Sequence, residues 1–149
     1  MKKIQKNTKK DINIPAMDKN DYMAVYGTLR DKTGLVGKVH GGKLVFPGHT
    51  YYPAWVRDSK CKEETIVELK SVSREKMAQL DAYENVGNGL YKRTQVEVYI
   101  PQLEERIKAW IYEAGETILK SKERFKPVPY GDWFCPESYK MREQNEMGK

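Results

Sequence analysis

The first sustained apolar stretch of the chain is Tyr22-Met23-Ala24-Val25-Tyr26, five apolar or aromatic residues in a row. A run of this kind, without alternation, predicts a strand buried on both faces. Gly27 stops it, and Gly34 and Gly37 follow, so the strand is expected to empty into a loop. Lys43-Leu44-Val45-Phe46 predicts another strand, closed by Pro47-Gly48. The run from Thr50 to Val56 belongs at an edge or a bend, because Pro53 cannot donate to a ladder. From Glu64 to Lys70 the pattern alternates, with Thr65, Val67 and Leu69 on one face and Ile66 and Glu68 on the other.

The period then changes. Residues 73–84 read as a helix: Ser73 can accept a backbone N–H at its start, and Glu75 in the first turn suits the dipole. At about 100° per residue, Met77, Leu80 and Glu84 fall within about 60° of one another and define the inward stripe. Asn85-Val86-Gly87-Asn88-Gly89 ends the helix, since Gly and Asn tolerate positive φ. A hairpin follows. Val96, Val98 and Ile100 share one face of its first strand, Ile107, Ala109 and Ile111 one face of its second, and Pro101 to Glu105 connects them. The end of the chain holds Pro127-Val128-Pro129-Tyr130-Gly131-Asp132-Trp133 and then a polar segment with helical character. The pattern divides into an arm over 1–20, one domain over 21–135 and a tail over 136–149, and the domain is α+β.

Charge changes this picture little. The 149 residues carry a net +6, but residues 1–20 hold six lysines against Asp11 and Asp18, leaving +2 for the rest. The excess sits in a polar segment without interleaved aromatics, so a nucleic-acid partner is not expected, although the arm keeps that hypothesis open. No stretch approaches the roughly 18 apolar residues of a membrane-spanning helix, and no apolar core of a secretory signal follows the basic start; a cytoplasmic protein is expected. Cys61 and Cys135 make no metal-ligand spacing and read as reduced thiols. His40 and His49 stand alone as surface or loop side chains, so no metal site is expected.

Two features carry candidate chemistry. Glu84 ends an apolar stripe, and a carboxylate there is costly unless it is paired or works. Burial would raise its pKa toward neutrality, which suits a general acid/base. In the competing reading it reaches solvent or pairs with Arg93. Asp81, about 40° from Met77 on the same helix, competes for the role or holds a backbone N–H or a basic residue. The second feature is Gly27, directly after a buried strand. Backbone N–H groups at such a turn have no ladder partner and form a concavity for a carboxylate or an oxyanion. Arg30 and Arg93 read as a solvated residue and a brace for the helix end. Trp110, Tyr112 and Trp133 read as packing aromatics, and Cys61 lacks a nearby base.

Tyr26-Gly27-Thr28-Leu29-Arg30 after the first strand, Leu80-Asp81-x-x-Glu84 at the helix end and Tyr91-x-Arg93 opening the next strand resemble the gamma-glutamylcyclotransferase-like superfamily, most closely its gamma-glutamylamine cyclotransferase branch. Tyr83 fills the aromatic place before the glutamate. Tyr52-Pro53-Ala54 and Gly131-Asp132-Trp133 resemble two further elements of that family, and the likeness spans residues 22–133 in order. The loop from Asn85 to Gly89 and the basic arm depart from its pattern.

The resemblance implies a small mixed β-barrel with flanking α-helices and a pocket at one mouth. It implies Glu84 as the catalytic acid/base and Tyr26, Gly27, Thr28, Leu29 and Tyr91 as substrate-binding residues. It also implies a reaction without metal or cofactor: the α-amine of a gamma-glutamyl compound attacks its own γ-carbonyl, releasing 5-oxoproline and an amine. The partner is then a small gamma-glutamyl substrate. Gamma-glutamyl-lysine, gamma-glutamyl amino acids or a larger conjugate all satisfy the resemblance. A non-catalytic module of the same fold that binds such a ligand is the alternative.

Overall fold

The structure, a computed structural model, describes residues 21–48 and 52–147. The basic arm, Thr50 and His49 lie outside the described residues. The first strand, β1 (Asp21–Val25), sends Tyr22 and Ala24 into one buried cluster and Met23 and Val25 into a second. That division is why the run is apolar without alternation: both faces of the strand are covered.

β1 pairs antiparallel with β5 (Thr65–Val72), β5 with β2 (Leu35–Val39), β2 with β6 (Tyr91–Ile100), and β6 with β7 (Glu105–Ala114). A parallel contact between Met23 of β1 and Trp110 of β7 closes these five strands into a barrel. β4 (Ala54–Arg57), β3 (Gly42–Pro47) and β8 (Phe125–Pro127) extend the sheet from β7 in that order. Three helices flank it: α1 (Arg74–Tyr83), α2 (Glu116–Leu119) and α3 (Pro136–Met147). This is the mixed α+β barrel that the sequence led us to expect. No helix among the described residues is long and apolar enough to cross a membrane.

The hairpin has the register its pattern implies, with Val96 opposite Ala109 and Val98 opposite Ile107. The barrel interior holds Phe46, Trp55, Val67, Val98, Ile100, Ile111 and Trp133 among others. The second cluster lies beneath α1 and contains Met77 and Leu80 of that helix with Tyr91, Tyr112 and Ile118. Ser73 caps α1 by accepting from the Lys76 amide at 3.1 Å.

One expectation is corrected outright. The stretch after Gly34 is strand β2, not loop. Gly37 is needed there for close approach, since a Cβ would lie 2.4 Å from Val98 Cγ1 on the neighbouring strand β6. His40 is an exposed surface side chain, as its place in the sequence led us to expect, with its Nε2 3.0 Å from Glu64 Oε2.

Candidate active site

Glu84 follows the last turn of α1. Its amide still donates to the Leu80 carbonyl at 2.8 Å, while Asn85 turns left-handed at φ 55° and ends the helix. The Met77–Leu80 stripe fixes which face of α1 meets the barrel, and Glu84 continues that face. Its side chain lines a cavity of about 450 Å³ at the mouth of the barrel, a volume in the range of small-molecule sites. Gly27, Thr28 and Leu29 line the same cavity.

Five of the described tyrosines line the cavity, and three of them are buried and held by hydrogen bonds. Tyr26 donates to the Tyr112 carbonyl at 2.5 Å and accepts from the Trp55 amide at 3.3 Å. Tyr91 donates to the Pro53 carbonyl at 2.6 Å, and Tyr112 to Asp81 Oδ1 at 2.7 Å. All three hydroxyls are engaged within the protein, so their rings shape the cavity. Burial raises the pKa of each, keeping them neutral donors. Gly27 is a site of close approach: a Cβ there would lie 2.8 Å from Pro53 Cγ, and Pro53 forms the facing wall.

Burial pushes the Glu84 carboxyl up to about 7. Among the described residues nothing donates a hydrogen bond to it or pairs with it. Arg93, the candidate counter-ion, binds Asp81 instead, with Nε to Oδ1 at 2.8 Å and Nη2 to Oδ2 at 3.1 Å. The Arg93 hydrogen bond holds Asp81 below the usual carboxylate range. Two carboxylates three residues apart are thus driven in opposite directions, one toward its charged form and one poised to exchange protons near neutrality.

The glycine loop is held from behind. Arg30 is buried rather than solvated, a second correction. Its Nε lies 3.2 Å from Glu68 Oε2 and its Nη1 2.8 Å from Asp132 Oδ1. Glu68, 1% exposed, also accepts from the amides of Asp31 at 3.2 Å and Lys32 at 3.0 Å. With the Arg30 amide bonded to the Gly27 carbonyl at 2.9 Å, the chain turns tightly just below the cavity. The amides of Thr28 and Leu29 have no acceptor among the described residues.

All six residues singled out in the sequence, Tyr26, Gly27, Thr28, Leu29, Glu84 and Tyr91, therefore line one cavity. Tyr112, read as packing, lines it too while it packs; Tyr52 and Pro53 join it through the aromatic-proline element already noted, and Leu90 and Val25 carried no signal of their own. Asp132 and Trp133 lie away from the cavity: one grips Arg30 and the other fills the barrel.

The model of the family described as gamma-glutamyl cyclotransferase, AIG2-like, matches residues 23–135. No curated protein sequence matches the chain. Among solved structures, an AIG2-like protein from Mus musculus superposes with a TM-score of 0.60 at 18% identity, over 80% of this chain and 93% of that one. A protein from Arabidopsis thaliana gives 0.56 at 19% identity over 87% of each chain. A structure titled gamma-glutamyl cyclotransferase gives 0.52 at 15% identity, over 84% of this chain and 99% of the other. At such identities the superpositions establish the fold, while the family model, covering most of the chain, establishes kinship. The chain belongs to the AIG2-like gamma-glutamyl cyclotransferase family.

Proposed function

We propose that the protein cyclises a gamma-glutamyl amine or peptide, releasing 5-oxoproline and the free amine, with Glu84 as general acid/base. The observation that supports this reading is that Glu84, its carboxyl raised to about 7 and without a partner among the described residues, lines one cavity with Thr28 and Leu29, whose amides have no acceptor among those residues either. A carboxyl with that pKa is divided between acid and base at neutral pH, as proton shuttling needs.

In the proposed course, the amides of the Gly27–Leu29 turn hold the glutamyl part. The α-amine, having lost its first proton to solvent, attacks the γ-carbonyl while Glu84 takes the second proton that its nitrogen sheds. The new C–N bond closes the ring. As the original amide C–N bond breaks, Glu84 returns the proton to the departing nitrogen. Acceptor and donor roles follow one another, so a single carboxyl serves both. Because attacking amine and carbonyl share one molecule, holding the substrate folded supplies much of the acceleration.

A 5-oxoproline release assay on a small panel of gamma-glutamyl amines, run beside Glu84→Gln, tests the reading. Loss of about 10²–10⁴-fold in kcat with the fold intact is expected. Native rates in the Gln variant would overturn the role of Glu84. Binding of the panel without turnover by the native protein would overturn catalysis itself.

A further inference from the structure

Among the described residues, six large apolar or aromatic side chains stand exposed, and three of them, Leu29, Tyr52 and Tyr83, line this one cavity. Tyr83 is 68% exposed, although it immediately precedes Glu84. Concentrated apolar exposure at the entrance to a pocket marks a surface that a ligand covers.

The charge at this entrance is equally one-sided. Among the described residues, Glu84 is the sole charged one lining the cavity. Asp81, nearest to it on α1, is closed off by Arg93 and Tyr112. Among the described residues, no lysine or arginine lines the cavity to receive a carboxylate, and no second acid lines it to receive an ammonium group. The rim is also preformed. The Leu90 amide bonds the Asn85 carbonyl at 3.2 Å, the Gly115 amide the Leu90 carbonyl at 2.8 Å, and the Thr117 amide the Gly89 carbonyl at 3.0 Å, which pins the 85–90 loop to the start of α2.

Proton return places the departing nitrogen within hydrogen-bonding reach of Glu84. Its substituent must then leave the cavity past the neighbouring rim. We infer that Leu29, Tyr52 and Tyr83 form a leaving-group subsite for an uncharged aromatic or apolar amine, making gamma-glutamyl conjugates of such amines the preferred substrates over conjugates of lysine or other charged amino acids. The inference rests on the cyclotransferase reading above.

Release of 5-oxoproline from gamma-glutamyl benzylamide, gamma-glutamyl methylamide and ε-(gamma-glutamyl)lysine tests it, using the full chain and its Tyr83→Ala and Tyr83→Phe variants. The benzylamide is expected to exceed the other two in kcat/KM by about tenfold or more, the scale of a filled apolar subsite. The benzylamide-to-methylamide ratio should fall toward one in Tyr83→Ala and persist in Tyr83→Phe, because the ring and not the hydroxyl makes the surface. A lysine conjugate cleaved as well as the benzylamide, or a ratio unmoved by Tyr83→Ala, overturns the subsite and leaves the cyclotransferase reading standing. Absence of 5-oxoproline from all three conjugates overturns that reading and the subsite with it.

Discussion

Glu84 is a carboxyl whose surroundings withdraw water and, among the described residues, supply no counter-charge, and both its expected reactivity and its effect on stability follow from that. Under the proposed mechanism kcat/KM rises with pH as the carboxyl ionises, passing its midpoint at about 7, and the limb is absent in Glu84→Gln. The linkage has the opposite sense. A carboxyl that binds its proton more tightly when folded contributes stability present below its unfolded value near 4.5 and lost as pH rises through about 7. Replacing it with Gln removes that slope, so the urea midpoint of the variant should change less between about pH 5 and about pH 8 than that of the native protein. Gly27 admits a sharper steric test. Gly27→Ala brings a Cβ to 2.8 Å from Pro53 Cγ, and neither the proline ring nor the strand end yields easily. A loss of about 1–3 kcal/mol in denaturant unfolding is expected, with a raised KM as the cavity narrows.

At the scale of elements, the loop between β1 and β2 would be a poor platform if it were held only at its ends. Glu68 of β5 supplies what it lacks, accepting from Arg30 Nε and from two successive amides while 1% exposed. Glu68→Ala leaves Arg30 buried against Asp132 alone and strips both amides of their acceptor. A loss of about 3–5 kcal/mol is expected from removing one partner of a buried ion pair, measured by urea denaturation. Amide exchange at Asp31 and Lys32 should accelerate beyond the global change, because these donors lose their bonds directly. The α1 end depends on a different pair. Arg93 reaches from β6 to Asp81 and lies 4.5 Å over the Trp110 ring, joining helix to barrel beside the Glu84 position.

At the scale of the molecule, one parallel contact between β1 and β7 closes the barrel and brings the glycine turn and the end of α1 to one cavity. The interior depends on large aromatics. Trp133 is 2% exposed, its ring 5.2 Å from that of Phe46, and its carbonyl accepts from Arg142 of α3 at 2.6 Å. Trp133→Ala is expected to cost about 3–5 kcal/mol in chemical denaturation, the usual range for an aromatic removed from a core. Loss of α3 docking should accompany it, visible as faster amide exchange along Pro136–Met147.

Where burial could be read from neighbours along the chain, the amino-acid order was enough. The unbroken run at Tyr22–Tyr26, the stripe ending in Glu84 and the matched faces of the hairpin each report local periodicity, which burial on one or two faces dictates directly. Glu84 and Gly27 were legible because they lie at ends of such elements, whereas Tyr26, Thr28, Leu29 and Tyr91 came from the family resemblance. Strand β2 was not legible, since Gly37 answers to the Val98 side chain on another strand and not to its own neighbours. Nor were the burial of Arg30 and the clamp from Glu68 and Asp132, which sit 38 and 102 positions away along the chain. Periodicity says which positions seek burial. Which partners they meet, and hence that Asp81 is neutralised by Arg93 while Glu84 has no partner among the described residues, is set by barrel closure, where distant segments compete for the same space.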